Sequence, residues 1–167
     1  MTIHHEHPFS APDDDRDPLR RLRGKMAAPV TVLTAGSGRH RVGHTVSSVL
    51  VAEGEPAEVL ALLDEESELW AAAPERIVLN LLGPGHQYLA EVFAGTAPAP
   101  GGAFTQGEWE DSDWGPVLVD AAGWLGLRVD AGTPRRAGWF PVLSGVVEQV
   151  HAGPGDALAH VRGRFQH

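Results

Sequence analysis

With 167 residues, 43% of them hydrophobic and 21% charged, the chain has the size and composition of one domain with its own core. The absence of cysteine excludes disulfides, thiol nucleophiles, zinc–thiolate sites and iron–sulfur clusters built by this chain alone, and the single lysine, Lys25, leaves little scope for Schiff-base chemistry. A net charge of −9 argues against a nucleic-acid surface. No apolar run approaches the roughly 20 residues that span a bilayer, and residues 1–7 lack a signal peptide's basic start and apolar middle, so a cytoplasmic protein with no membrane partner is expected.

Residues 1–17 read as a disordered tail ahead of a single domain over 18–167. His4, His5 and His7 could hold a metal ion, but a mobile terminus is the simpler account, and no metal site is expected. Asp17-Pro18 is an N-cap followed by proline at the first helical position, and Leu19, Leu22 and Met26 then give a short helix one apolar stripe. Residues 30–35 are expected as a strand, residues 36–41 as a turn, and residues 43–51 as a second strand that completes a hairpin.

That second strand is unusual. Thr45, Ser47 and Ser48 set hydroxyls among apolar residues, and period-2 alternation places Thr45 and Ser47 on a face with Gly43, whose missing side chain permits close approach to the backbone. A wet strand face and a ligand wall both fit this pattern. Residues 59–63, Val-Leu-Ala-Leu-Leu, predict a strand buried on both faces. Ser67 caps a short helix over residues 69–73; its amides either hold an anion or are satisfied by the acids around them, Glu65, Glu66 and Glu68. Residues 77–82 are a strand apolar except for Asn80, whose amide needs a partner from a neighbouring loop or a ligand.

Residues 89–93 predict another helix ending at Gly95, residues 96–107 a surface excursion, and residues 108–114 an acidic loop anchored by Trp109 and Trp114. Strands follow over residues 122–129, 140–150 and 157–165, with Arg135-Arg136 in a solvated turn between the first two. Some seven strands and three short helices without βαβ alternation imply a mainly β, antiparallel barrel. There is no GxGxxG after a strand, no Walker loop, no HExxH and no GxSxG.

In this order, Pro29-Val30-Thr31-Val32-Leu33-Thr34, Gly43-His44-Thr45-Val46-Ser47-Ser48, the Ser67 helix, Ile77-Val78-Leu79-Asn80-Leu81-Leu82, Leu89-Ala90-Glu91-Val92-Phe93-Ala94-Gly95, Gly145-Val146-Val147 and Arg162-Gly163-Arg164-Phe165 resemble the flavin reductase-like, FMN-binding split-barrel family. The resemblance spans nearly the whole expected domain. It implies a homodimeric, antiparallel Greek-key split barrel that binds FMN, or FAD, and transfers hydride to it from NADH or NADPH, a reaction by which family members often serve a partner monooxygenase as its reductase component. It places flavin against Thr45, Val46, Ser47 and Ser48 through backbone and hydroxyl groups. Leu63, Asp64 and Ser67 follow along the ribityl-phosphate path, and Asn80 helps line the pocket.

Three departures from the family pattern favour an alternative, a flavin-binding carrier without an efficient nicotinamide site. Residues 139–143, Trp-Phe-Pro-Val-Leu, lack the histidine that relatives carry before the glycine matched by Gly145. His160 stands one residue out of register with its counterpart, which in a regular strand turns its ring to the opposite face. Asp64-Glu65-Glu66 is acidic where relatives offer the phosphate a basic or neutral residue. Arg39, Arg41, Arg76, Arg162 and Arg164 are then the candidate sources of positive charge. A barrel that has lost flavin binding is the third reading.

Overall fold

The computed structural model describes residues 17–132 and 135–166; the expected tail lies, apart from Asp17, outside the described residues. The chain enters through helix α1 (Pro18–Lys25), where the Asp17 carboxylate accepts the Leu19 N–H at 3.1 Å and Pro18 takes a position that needs no donor. Strands β1 (Ala28–Pro29) and β2 (Thr31–Ala35) follow, then a 3-10 turn (Gly38–His40), β3 (Val42–Val46), β4 (Val49–Ala52) and β5 (Glu58–Leu62). Helix α2 (Glu68–Ala72), β6 (Arg76–Leu81) and α3 (Gln87–Ala94) lead to the hairpin β7 (Trp109–Ser112) and β8 (Gly115–Leu118). The chain ends with β9 (Gly123–Val129), β10 (Arg135–Ala137), β11 (Phe140–Ala152), β12 (Ala159–Val161) and β13 (Arg164–Gln166).

Seven strands form one antiparallel path in the order β3-β2-β6-β9-β11-β5-β4, with β10 paired to β11 off the path. Its two end strands, β3 and β4, are consecutive in the chain and joined only by Ser47-Ser48. Laid flat, seven strands place their outer members about 29 Å apart, whereas three residue steps reach no more than about 11 Å. The sheet therefore curls until its edges meet at the two serines. The result is the expected mainly β half-barrel.

Several elements differ from expectation. Residues 43–51 are two strands, because β3 pairs with β2 while β4 pairs with β5 on the far edge. The acidic loop at 108–114 is part of the β7–β8 hairpin. The last strand is also a hairpin, turning at Arg162 and Gly163. Strand β5 is not buried on both faces: Val59 and Ala61 are in the core, whereas Leu60 and Leu62 stay partly exposed. Among the described residues its outer apolar face is only partly covered.

Two cores result. The barrel interior is filled by Leu33, Val46, Val59, Ala61, Leu63, Leu69, Ile77, Leu79, Leu127 and Leu143. The outer side of β2 and β6 is covered by α3 and the β7–β8 hairpin, with Phe93, Phe104 and Trp109 in mutual edge contacts at 5.0–5.5 Å between ring centres. Gly43 is needed here: a Cβ on it would stand 2.8 Å from Cε1 of Phe93. What approaches the Gly43 backbone is a core phenylalanine, not a ligand.

Candidate functional site

The break at Ser47-Ser48 is the centre of the site. Thr31, on β2, donates its hydroxyl to the Val46 carbonyl and so pins the last residue of β3. Beyond the break, Leu62 N–H donates to Ser48 O at 3.0 Å, starting the pairing with β5. Of the three hydroxyls in this stretch, that of Thr45 is committed, donating to Ala90 O on α3 at 2.7 Å. Ser47 and Ser48 are exposed, and among the described residues their hydroxyls make no hydrogen bond.

A cavity of about 170 Å³ opens at the break, walled by His44, the 45–48 backbone, Leu62, Leu63, Asp64, Phe140 and Arg23. It shares Arg23, Ser47, Ser48 and Leu62 with a larger groove of about 740 Å³, so the two form one continuous cleft. The groove runs over the outer face of β4 and β5, between α1 and the β12–β13 turn. Its volume lies within the roughly 300–1,000 Å³ usual for cofactor sites. The smaller cavity alone is too small for a cofactor.

The cleft's electrostatics are uneven. At the cavity end, burial pushes the His44 imidazole below its ordinary value of 6.5, with the Asp64 carboxylate partly opposing the shift. His44 shares the inward face of β3 with Val42 and Val46, which explains its desolvation. Among the described residues, the groove end is lined by Arg20, Arg23, Arg135, Arg162 and His160, and by no Asp or Glu.

Six of the eight residues singled out from the sequence, Thr45, Val46, Ser47, Ser48, Leu63 and Asp64, come together around the cavity. Two do not. Asn80 has no exposed surface: its amide nitrogen donates to Val32 O at 3.1 Å and Thr34 Oγ1 at 3.0 Å, and its oxygen accepts Leu118 N–H at 2.9 Å. Its partners are backbone and core, because β8 crosses the barrel wall at that point and presents an N–H that needs an acceptor. Ser67 is buried as the α2 cap, accepting Trp70 N–H at 3.1 Å and donating to Asp64 O at 2.7 Å. It stands outside the cavity lining.

Sequence reasoning missed Arg23, His44 and Phe140. No local pattern marks Arg23 on an exposed helix; the Arg162 N–H bond to Gly24 O, 2.6 Å, ties the end of that helix to the groove's far wall. His160 faces the groove despite its register, its ring edge-on to Phe165 at 5.3 Å. Arg41 and Arg76 lie elsewhere, reaching Asp111 at 2.8 Å and Asp113 O at 3.3 Å.

The family model of the flavin reductase like domain matches residues 22–167. The chain belongs to the flavin reductase-like family. It is 32% identical over 147 residues to the FMN reductase (NADH) RutF of Variovorax paradoxus, covering 86% of this chain and 80% of that one. It is 30% identical over 160 residues to the reductase component of a 4-nitrophenol 4-monooxygenase/4-nitrocatechol 2-monooxygenase from Rhodococcus opacus, covering 92% and 81%. The NADH:FAD oxidoreductase SgcE6 of Streptomyces globisporus, solved in complex with NAD and FAD fragments, superposes with a TM-score of 0.79 at 22% identity, covering 94% of each chain. This last likeness bears on the fold. In this flavin reductase-like domain the uncommitted serines stand beside Asp64, His44 and Arg23 among the polar groups presented to the cleft.

Proposed function

We propose that the protein is a flavin reductase that binds FMN, or FAD, in the cleft at the Ser47-Ser48 break and uses NADH or NADPH as co-substrate. The carrying observation is the cleft: two uncommitted hydroxyls at the break of a curled sheet, continuous with a groove of about 740 Å³. The residues fit such a cofactor. Leu60, Leu62, Leu50 and Phe140 offer apolar surface to a ring system, Ser47 and Ser48 offer hydrogen bonds to its edge, and the arginines face an anionic end.

The chemistry supplied by the bound groups is hydride transfer from nicotinamide to the flavin ring. The chain's own work is positioning: a rigid β3–β4 corner, pinned by Thr31 and by the Leu62 N–H bond, holds the serines in place, and the apolar walls exclude water. His160 on the groove wall supports a reductase over a carrier without a nicotinamide site.

The same surface supports a homodimer. Leu19 and Leu22 on α1 and Met26 at its C-cap are 71%, 60% and 66% exposed, Leu50 on the open β4 edge is 70% exposed, and Trp139 is 88% exposed. By analogy with the reductase component from Rhodococcus opacus, the reduced flavin serves a partner monooxygenase. No helix among the described residues is long and apolar enough to cross a membrane. The deciding measurement is NADH and NADPH oxidation by the purified protein with and without added FMN, FAD or riboflavin. Stimulation by flavin is expected, and its absence with all three overturns the assignment.

A further inference from the structure

We propose that the limb of the groove between α1 and the β12–β13 turn holds the cofactor's phosphate, with Arg23 and Arg162 as its binding side chains and Arg20 and Arg135 adding to the field. The proposal rests on the flavin-reductase reading and names the residues that would hold its anionic end.

Three observations carry it. First, a chain of net charge −9 gathers four arginines from three separate segments onto one groove whose lining, among the described residues, holds no acid. Such a concave, single-sign lining concentrates anions. Second, the acidic approach to α2 disfavours phosphate. Asp64 accepts the Glu66 N–H at 2.9 Å, Ser67 caps its own helix, and Arg136 is engaged with Glu65. A phosphate there would meet the carboxylates of Asp64, Glu65 and Glu66.

Third, Arg162 stands where the backbone does not favour it. It and Gly163 have φ of +52° and +74°, the two-residue hairpin turn that Asn-Gly suits best. A long side chain at such a position carries a conformational cost, and here the residue lines the groove. The 2.6 Å bond from Arg162 N–H to Gly24 O fixes the turn against the helix that bears Arg20 and Arg23. A guanidinium fork from each side suits the oxygens of a phosphate ester.

That ester belongs either to the flavin or to the nicotinamide dinucleotide, and affinity measurements separate the two. FMN and riboflavin differ only in the phosphate. The variants are Arg162→Asn, which keeps or eases the turn, and Arg23→Gln, on an exposed helix face. Each is titrated with FMN and with riboflavin, and its KM for NADH is measured. If the flavin phosphate lies here, FMN binding weakens roughly ten- to a hundred-fold while riboflavin binding is unchanged. If the dinucleotide diphosphate lies here, KM for NADH rises by a similar factor and both flavins bind as before. The placement is overturned if all three values are unchanged, or if FMN and riboflavin weaken equally. A wild-type chain that binds neither flavin and oxidises no NADH overturns the flavin-reductase reading as well.

Discussion

The Asn80 side-chain oxygen accepts the Leu118 N–H at 2.9 Å, so a single amide on β6 fastens the β7–β8 hairpin to the barrel. The fastening is doubled by Thr34, which accepts from Asn80 and donates to Pro116 O at 2.6 Å. Asn80→Ala strands the Leu118 N–H in a buried site and is expected to cost about 2–3 kcal/mol of stability. Flavin affinity of the folded variant stays unchanged. Urea unfolding and an FMN titration check the two halves, and a selective loss of affinity without lost stability contradicts the core role.

The hydroxyls of β3 and the break separate by function. Thr45→Val removes the bond to Ala90 O and is expected to lower stability by about 1 kcal/mol. Ser47→Ala with Ser48→Ala leaves the melting temperature alone and weakens flavin binding roughly 2- to 10-fold per lost bond. Calorimetry and flavin fluorescence titration on the same two preparations read both effects. Equal effects on stability from both substitutions would remove the distinction.

What was legible in the sequence follows from the range of the interactions concerned. The Asp17-Pro18 helix start, the Gly95 stop and the strand over 77–82 are set by neighbours in the chain, and the structure has all three. The division of residues 43–51 was not legible, because β3 and β4 take partners on opposite edges of a sheet whose order no local pattern reveals. Gly43 and Asn80 illustrate the same limit at the site. Both were correctly read as positions needing a close neighbour, but Phe93, Leu118 and Thr34 fill that need from within the protein. Arg23 reaches the cleft through tertiary contacts and leaves no local trace.

His44 makes the fold acid-sensitive. Burial lowers its folded value below the ordinary 6.5, Asp64 pulling the other way, and Arg23 lines the same cavity. Above pH 6.5 folded and unfolded chains are both neutral at this position. Below it the unfolded chain takes up a proton that the folded one resists, so stability falls as the pH falls. His44→Gln is expected to flatten that acid-side decline. Melting temperatures of the two proteins on either side of pH 6.5 test this, and parallel slopes contradict it.

The open edge of β4 and the uncovered stripe of α1 lead to the last prediction. Leu22 and Leu50 are exposed, yet Leu50 also borders the groove, so one partner surface would cover apolar residues and complete the cleft wall together. A stable dimer commonly buries about 800 Å² per partner, and clustered large apolar side chains are the usual centre of such a surface. Leu50→Asp puts a charge on the strand edge without touching a buried residue. The expected outcome is a dimer for the wild type and a monomer for the variant by light scattering, with flavin affinity reduced because a wall of the cleft is missing. Leu22→Asp, outside the cleft, is expected to give the monomer by the same measurement. A wild type that is monomeric at micromolar concentration and still binds flavin tightly means that this chain alone forms a complete cleft.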